Sequence, residues 1–267
     1  GGITQKSAER AVEMYSKIVK AKVHQTDVLT AEVSKTIENA YRDVNIAFAN
    51  EMALVCESLG VNVYEIIDLV NELPSRMMHI PGAGVGGHCL PKDTWLLRYG
   101  LSEYGSQKIE PRFISLAREI NNYMPIHMAS LIEDALEKKG VKIQGAKVTI
   151  LGVAYLENAD DTRNTPALTL INTLEAKGAK VVLHDPYVKD WDLGPHKIER
   201  DLYTAAKDSD CLALVTKHRD YIDVDFDKLK QVMRTHTLVD GRNVYEKAKL
   251  VALDFEYRAV GKAGLRE

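Results

Sequence analysis

The stretch that decides the fold is KVTILGVAYLENADDTRNTPALTLINTLEAKGAKVVLHDP, residues 147–186. It begins with a short β-branched run that ends in Gly152, as a buried strand does, and it continues through a polar turn into a segment with helical spacing. A second strand, AKVVLHDP, follows the helix, and CLALVT (211–216) and THTLVDGRN (235–243) supply two more. Strands that alternate with helices predict parallel βαβ units and an open, doubly wound sheet.

Upstream of this stretch the apolar residues recur with a helical period. The pattern is helical from Ser7 to about Val70, and its strongest segment is TAEVSKTIENAYRDVNIAFANEMALVCESLG, residues 30–60. Thr30 is predicted to cap this long helix and Gly60 to end it, so we expect a central spine helix. The apolar positions that recur along it are Val33, Ile37, Ala40, Val44, Ala47, Phe48 and Val55.

A further helical stretch leads into the α/β region. Residues 111–139 have helical spacing, and we expect a break or restart at Pro125, because proline removes a main-chain hydrogen bond. The sequence therefore predicts an all-α domain with the long spine helix, residues 1–143. An α/β doubly wound parallel-sheet (Rossmann-like) domain, residues 144–267, is predicted to follow it.

Composition and charge narrow the class of partner. The chain of 267 residues has a formal net charge of -3, which argues against nucleic acid or an anionic membrane, since both attract basic proteins. Its three cysteines are widely spaced and odd in number, so we expect free thiols and a reducing, cytoplasmic location. No apolar run approaches transmembrane length, and no His/Cys spacing predicts a metal site. The opening GGITQKSAER lacks Met, which suggests a fragment or a processed chain.

A glycine-rich loop, PGAGVGG at 81–87, follows the helical segments. Its spacing resembles a dinucleotide-binding fingerprint, but that fingerprint follows a strand and opens a helix, whereas this loop follows helical sequence and a proline. We therefore reject it as a dinucleotide site. Two interpretations remain open, a flexible surface loop and a backbone that approaches a ligand closely.

Cys89 lies directly after this loop and is followed by Lys92 and Asp93. A lone cysteine is usually an inert buried residue, and Cys56 and Cys211, within a predicted helix and strand, fit that description. The glycines and the nearby cation favour a reactive thiolate at Cys89 instead.

Polar residues also follow one face of the long helix. Lys35 and Asn39 are four residues apart and share that face, and Arg42 and Asp43 continue it. On a surface helix such a face is merely solvated, whereas on a buried spine these residues need partners or a function.

The turn after the first strand carries Asp160, Asp161 and Arg163 before a helix begins. Strand-to-helix turns of doubly wound sheets bind ligands, and helix N-termini attract phosphate. A purely structural turn capped by an aspartate is equally consistent with the residues alone.

Together these segments resemble the UDP-glucose/GDP-mannose dehydrogenase family, and most of all its UDP-N-acetylmannosamine branch. The matching stretches, in the family's order, are SKTIENAYRDVNIAFANE, PGAGVGGHCLPKD, AREINNYMP, LGVAYLENADDTRNTPA, HDP and VDGRN. The family consists of an N-terminal NAD-binding domain, a central helical dimerisation domain and a C-terminal nucleotide-binding domain. The resemblance implies that this chain holds the last two and lacks the first.

The resemblance also implies a reaction, the oxidation of the C6 alcohol of a UDP-sugar to a carboxylate by two NAD. Cys89 would attack the aldehyde intermediate, and the thiohemiacetal would be oxidised to a thioester and hydrolysed. Lys35 and Asn39 would stabilise the oxyanion, Lys35 would also move protons, and Asp93 would assist the catalytic water. The implied substrate-binding residues are Arg42, Arg76, Gly86, Tyr155, Leu156 and Arg242, and the implied NAD contacts are Lys92 and Arg163.

Several residues bear on which member of the family this chain resembles. The residue before Cys89 is histidine and not serine, which favours the N-acetylated branch of the family. The expected substrate is therefore UDP-N-acetyl-D-mannosamine, with UDP-glucose and UDP-N-acetylglucosamine as alternatives. Leu156 stands where the family commonly has lysine, and a histidine common before the residue at Arg76 is missing. The alternative from another class is a catalytically silent nucleotide-sugar-binding or dimerisation module. We expect a homodimer through the helical domain and no turnover by this chain alone.

Overall fold

The computed structural model describes residues 1–262, and within that range the chain forms nine α-helices and six strands. The helices are α1 (Gln5–Ser16), α2 (Val28–Leu59), α3 (Val63–Asn71), α4 (Leu90–Tyr104), α5 (Arg112–Lys138), α6 (Pro166–Ala176), α7 (Leu202–Ala206), α8 (Phe226–Val232) and α9 (Lys247–Ala252). The strands are β1 (Lys147–Leu151), β2 (Lys180–His184), β3 (Ile198–Glu199), β4 (Cys211–Leu214), β5 (Thr237–Asp240) and β6 (Glu256–Ala259). None of the helices within residues 1–262 is long and apolar enough to span a bilayer.

The six strands form one sheet in the order β3-β2-β1-β4-β5-β6, and every neighbouring pair is parallel. The prediction of a helical part followed by a doubly wound sheet is confirmed. Two strands were not predicted, because β3 has only two residues and β6 alternates charged with buried residues at an edge. The strand order reverses between β1 and β4, so a crevice opens beyond their carboxyl ends.

The long helix α2 begins earlier than predicted. Asp27, not Thr30, is its N-cap, and the Asp27 carboxylate accepts a hydrogen bond from the backbone N–H of Thr30 at 2.8 Å. The prediction that Thr30 caps the helix was wrong, because a carboxylate one turn upstream reaches its N–H first. Helix also does not run unbroken from Ser7, since α1 ends at Ser16. Gly60 ends α2 in the left-handed conformation, with φ of 79°, as predicted.

The residues that α2 buries are not those that its apolar periodicity predicts. Ala40 and Ala47 are buried, but Ile37, Phe48 and Val55 are 51%, 53% and 42% exposed. The residues buried beside the alanines are polar, namely Asn39, Asp43 and Asn50. Helix α2 therefore packs on α4 and α5 through small and polar side chains, and it leaves a stripe of large apolar ones on the surface.

Helix α5 passes through Pro125 without a break. The predicted restart was wrong. Pro125 is buried and packs beside the glycine loop, where a Cβ placed on Gly84 would lie 3.0 Å from Cγ of Pro125. Such packing offsets the roughly 3 kcal/mol that an interior proline costs a helix.

One hydrophobic core spans the helical and the α/β parts. Its buried residues include Met124, Met128, Ile132 and Leu136 of α5, Val148 and Ile150 of β1, and Leu170 and Ile171 of α6. The predicted boundary at residues 143 and 144 lies between α5 and β1. Because the core is shared across it, division of the chain into two domains there stays a prediction.

Candidate functional site

A cleft of about 970 Å³ lies where the sheet order reverses, between the carboxyl ends of the strands and helix α2. Loops that follow β1, β4 and β5 form one side of it, and the glycine loop and α2 form the other. The volume is that of a site for a ligand of drug size or larger. Of the predicted site residues, eight line it, namely Asn39, Arg42, Gly86, Cys89, Tyr155, Leu156, Arg163 and Arg242.

Cys89 sits at the N-cap of α4, and its side chain is exposed to the cleft. Its carbonyl accepts hydrogen bonds from the backbone N–H groups of Lys92 (3.0 Å) and Asp93 (2.8 Å), which begin the helix. Cys89 therefore lies at the positive end of the α4 dipole. Cys56 and Cys211 are buried, and burial raises the pKa of both thiols.

Asn39 and Asp93 form a buried pair beside Cys89. The Asn39 Nδ2 donates to Asp93 Oδ2 at 2.6 Å, and Nζ of Lys92 lies 3.5 Å from the other carboxylate oxygen. The pair joins α2 to the first turn of α4. Asn39 reaches the cleft, whereas Asp93 lies behind it and orients the amide.

Lys35 lies on the exposed side of α2 near this group and does not line the cleft itself. Its ammonium is 2.7 Å from the carboxylate of Glu38. That hydrogen bond raises the pKa of Lys35, and the charges of Cys89 and Asp93 add smaller contributions in the same direction. Lys35 is therefore an exposed cation near the thiol, paired with Glu38.

Arginines give the cleft a positive lining. Arg242 follows β5, and its Nε donates to the carbonyl of Val215 at 2.7 Å. Burial lowers the pKa of Arg242, and the charge of Glu157 opposes that effect. Its Nη2 also donates to the carbonyl of Gly84 at 3.4 Å, and Arg242 lines the cleft. Arg42 lines the same cleft from α2.

The glycine loop is fixed in place by the α/β part. The backbone N–H of Gly87 donates to the carbonyl of Arg163 at 2.9 Å, and Asn164 Nδ2 donates to the Gly87 carbonyl at 3.0 Å. A Cβ on Gly86 would lie 2.6 Å from Cβ of Tyr155, so only glycine fits there. Of the two interpretations of this loop, the structure supports a backbone held against the cleft.

The turn after β1 forms the opposite wall. Arg163 is exposed and pairs with Asp161 in a forked contact, at 2.9 Å from Nε and 2.6 Å from Nη2. Leu156 is 50% exposed and faces the cleft. Arg76, by contrast, lies outside the cleft, exposed in a turn after α3, with Nη1 donating to Ser75. Its role in substrate binding stays a prediction.

Two family models match the chain. The central domain of the UDP-glucose/GDP-mannose dehydrogenase family matches residues 29–123, and the UDP-binding domain of the same family matches residues 149–247. The chain belongs to the UDP-glucose/GDP-mannose dehydrogenase family.

Several relatives are named for N-acetylated sugars. UDP-N-acetyl-D-mannosamine dehydrogenase of Pyrococcus horikoshii is 38% identical over 98% of this chain and 59% of its own length, and its structure aligns with a TM-score of 0.88. NDP-N-acetyl-D-galactosaminuronic acid dehydrogenase of Methanosarcina mazei is 37% identical, with a TM-score of 0.91 over 99% of this chain and 57% of that one. The chain thus spans about three fifths of the length of these relatives.

Several cleft residues of this family member were missed by sequence reasoning. They are Ile46, Asn50, His79, Glu157, Asn158 and Thr216. A signal existed for some of them. Ile46 and Asn50 continue the helical spacing of Asn39 and Arg42, and Thr216 is the last residue of a predicted strand. His79 offers no such pattern, although burial and the charge of Arg42 lower its pKa and favour the neutral ring.

Proposed function

We propose that this chain is the substrate-binding, cysteine-bearing part of an NAD-dependent dehydrogenase that oxidises C6 of a UDP-N-acetylhexosamine, first of all UDP-N-acetyl-D-mannosamine. The observation that carries the proposal is an exposed Cys89 at a helix N-terminus in a cleft lined with arginines. Relatives that bear the name UDP-N-acetyl-D-mannosamine dehydrogenase support the choice of sugar. UDP-glucose and UDP-N-acetylglucosamine remain the alternatives.

The cleft suits a nucleotide diphosphate joined to a sugar. Arg242 and Arg42 supply cationic donors for phosphate oxygens, and guanidinium is well shaped for that purpose. The Gly86 backbone and Tyr155 line the cleft together with Cys89, and the sugar is proposed to lie along them with C6 toward the thiol. Leu156 gives an apolar surface where the family commonly has lysine.

The residues around Cys89 suit a covalent route from alcohol to acid. Oxidation of the C6 alcohol gives an aldehyde, whose carbon is attacked by Sγ of Cys89, and the new carbonyl-derived oxyanion is stabilised by Lys35 and Asn39. Loss of a second hydride converts the resulting thiohemiacetal to a thioester. Water then cleaves the C–S bond and releases the carboxylate and the Cys89 thiolate, and Asp93 is proposed to assist this water through the Asn39 amide that it orients.

NAD, when bound, accepts one hydride in each of the two oxidations. Lys92 and Arg163 are the residues of this chain proposed to contact it, and both are exposed, Lys92 three residues beyond Cys89 and Arg163 on the wall that faces Cys89. Arg163 already shares its charge with Asp161, which holds its guanidinium in one orientation. The two side chains would attract the cofactor's phosphates toward the thiol.

The protein is further proposed to be a cytoplasmic homodimer whose product serves polysaccharide biosynthesis. Support for the dimer comes from α2, on which large apolar side chains are exposed along one stripe. Its members are Ile37, Tyr41, Phe48, Val55 and Leu59, exposed by 51%, 69%, 53%, 42% and 60%. A contiguous exposed apolar surface of this kind marks a protein interface.

Calorimetric titration of the chain with UDP-N-acetylmannosamine, UDP-N-acetylglucosamine, UDP-glucose and NAD tests the proposal. We expect binding of one UDP-sugar, loss of that binding in Arg242→Met, and no turnover by the chain with NAD alone. Binding of NAD without any UDP-sugar would overturn the proposal. Turnover without added protein would show that the chain needs no further part.

A further inference from the structure

The wall of the cleft that follows β1 is held from behind by two buried residues that the proposed reaction does not use. Tyr155, Leu156 and Asn158 of this wall line the cleft. Beneath them lie Asp185, which follows β2, and His218, which follows β4, and both side chains are 0% exposed.

Asp185 receives hydrogen bonds from both sides of the strand end. Its Oδ2 accepts from the backbone N–H groups of Val153 (2.7 Å) and Ala154 (3.2 Å) and from Nε2 of His218 at 3.1 Å. Its Oδ1 accepts from the backbone N–H of Val188 at 2.9 Å. Burial alone would raise the pKa of Asp185, but these hydrogen bonds, above all the one from His218, bring it below its ordinary value. Asp185 is therefore an ionised acceptor.

The two hydrogen-bond partners of His218 require one tautomer of its ring. Its Nδ1 lies 2.9 Å from the backbone nitrogen of Asn158, which can only donate, so Nδ1 carries no proton and accepts. The other nitrogen then carries the proton and donates to Asp185. The ring also lies against Tyr187, with centroids 4.9 Å apart and the ring planes tilted by 35°.

Asn158 is held at both ends by the segment after β4. While its N–H donates to His218, its Oδ1 accepts from the backbone N–H of Arg219 at 2.8 Å. Asn158 has φ of 56°, a left-handed conformation that asparagine tolerates better than most residues. We call these two hydrogen bonds, from Asn158 to His218 and from Arg219 to Asn158, the clamp. The clamp fixes a backbone conformation that a free loop would hold less firmly.

We propose that His218, oriented by Asp185, is a positioning residue that shapes the sugar-nucleotide wall of the cleft by accepting the Asn158 N–H. The inference rests on the proposed function for the ligand, but the clamp itself is a property of the chain. His218 touches neither substrate nor cofactor, and it acts through the loop at 153–158. Its contribution depends on the acceptor at Nδ1 more than on the bulk of the ring.

Two substitutions separate the two hydrogen bonds. In H218N the amide oxygen stands near the place of Nδ1 and keeps an acceptor for Asn158, whereas H218Q keeps a donor for Asp185 and loses that acceptor. His184→Gln is the matched control, because His184 is also buried but its Nδ1 pairs with Tyr221 and not with the loop.

The first measurements need no ligand. In the ¹⁵N-labelled chain we expect a scalar coupling between the Asn158 amide nitrogen and Nδ1 of His218. Amide hydrogen exchange at Asn158 should rise about tenfold or more in H218Q, the effect of losing a hydrogen bond, and stay within about threefold of wild type in H218N. Equal acceleration in both variants, or an absent coupling, would overturn the clamp.

The second measurement is titration with UDP-N-acetylmannosamine. H218Q should bind about tenfold more weakly than wild type, with H218N and H184Q within about threefold. Equal weakening in H218N and H218Q, or in the control, would overturn the role in the cleft. If wild type binds no UDP-sugar, the proposed function fails, while coupling and exchange still decide whether the clamp exists.

Discussion

At the scale of single residues, the three thiols of the chain differ in exposure and in neighbouring charge. Cys89 is exposed at a helix N-terminus and near Lys35 and Arg163, whose pKa values it helps to raise. Cys56 and Cys211 are buried, with pKa values raised by burial. Since only the thiolate reacts, the structure predicts selective chemistry at one cysteine.

We predict that mild alkylation with iodoacetamide at neutral pH labels Cys89 well before the other two cysteines. Intact mass and peptide mapping over time would measure this, and C89S should show no rapid phase. Three thiols that react equally slowly in the native chain would contradict the prediction and favour the silent-module alternative.

Lys35 is expected to assist the thiolate as a fixed charge. A lysine is protonated at neutral pH and the hydrogen bond to Glu38 raises the pKa of Lys35 further, which favours oxyanion stabilisation over proton transfer. Because the side chain is exposed, we expect Lys35→Met to slow alkylation of Cys89 by only about two- to fivefold. Lys249→Met is the matched control, since Lys249 pairs with Glu246 at 3.0 Å on a distant helix, as Lys35 pairs with Glu38. An equal effect of both substitutions would refute a local charge effect.

At the scale of elements, α2, α5 and the glycine loop are joined by a buried polar network. Arg118 donates to Oδ1 of Asp43 at 2.9 Å, and Asn121 donates to the same oxygen at 2.8 Å. Asn50 donates to Oδ1 of Asn121 at 2.8 Å and accepts from the backbone N–H of Gly82 at 2.9 Å. The network thus connects the helix pair to the loop that precedes Cys89.

Arg118→Met should destabilise the chain by roughly 3–5 kcal/mol, because it leaves the Asp43 carboxylate buried without its cation. Burial already raises the pKa of Asp43, against the opposing charge of Arg118. Urea unfolding followed by circular dichroism measures the change. In the double variant D43N/R118M we expect part of the stability to return, and a double variant no better than R118M would show that the pair does not act as a unit.

This network also explains why the sequence did not predict which face of α2 is buried. The period of α2, its end at Gly60 and the alternation of strands and helices follow from local patterns, and the structure has them all. Which face of α2 is buried does not follow, because Asn39, Asp43 and Asn50 are buried only once partners from α4, α5 and the glycine loop reach them. A hydrophobic periodicity reflects only residues that are close in sequence, so it does not predict partners that are far away along the chain.

The same limit applies to the cleft. Cys89 and the glycines could be found because their types and spacing are unusual for a structural loop. His218 could not, because its significance depends on Asp185, 33 residues earlier, and on the backbone of Asn158, 60 residues earlier. Single-sequence reasoning therefore finds the reactive group more readily than the residues that position its surroundings.

Asp185, at the end of β2, makes the stability of the protein depend on pH in a defined way. The pKa of Asp185 in the folded protein lies below the ordinary 3.8. Its contribution to stability is therefore full above the pKa that Asp185 has in the unfolded chain, and it is lost as the pH falls through the pKa in the folded protein. We expect D185N to melt below wild type by a constant margin from about pH 7 to about pH 5, and the margin to narrow below about pH 4. Thermal melts across that range measure it, with exposed Asp192→Asn as control. A margin that stays constant down to pH 3 would contradict the assignment of an ionised Asp185.

At the scale of the whole molecule, the described chain has a shared core inside and an uncovered apolar stripe outside. The stripe runs along α2, a helix of 32 residues and therefore about 48 Å in length. Its members recur at steps of four and seven residues, the spacing at which one helix packs against another. A second copy of this chain offers the same stripe, so a twofold axis across α2 would bury both at once.

We therefore predict that the chain is a dimer in solution and that Phe48→Glu converts it to a monomer. A charge at the centre of the stripe would be buried without a partner in the dimer, whereas in the monomer it is solvated. Sedimentation or light scattering should give twice the 29.8 kDa of one chain for wild type and the single value for F48E. Val251→Glu is the control, because Val251 is 50% exposed, close to the 53% of Phe48, but lies on α9. If wild type is monomeric, the stripe does not join two copies of the chain and is a surface for another partner. If F48E is dimeric, the dimer interface lies elsewhere on the chain. If F48E is a folded monomer that still binds the UDP-sugar, the cleft is complete within one chain, and dimerisation serves stability and not substrate binding.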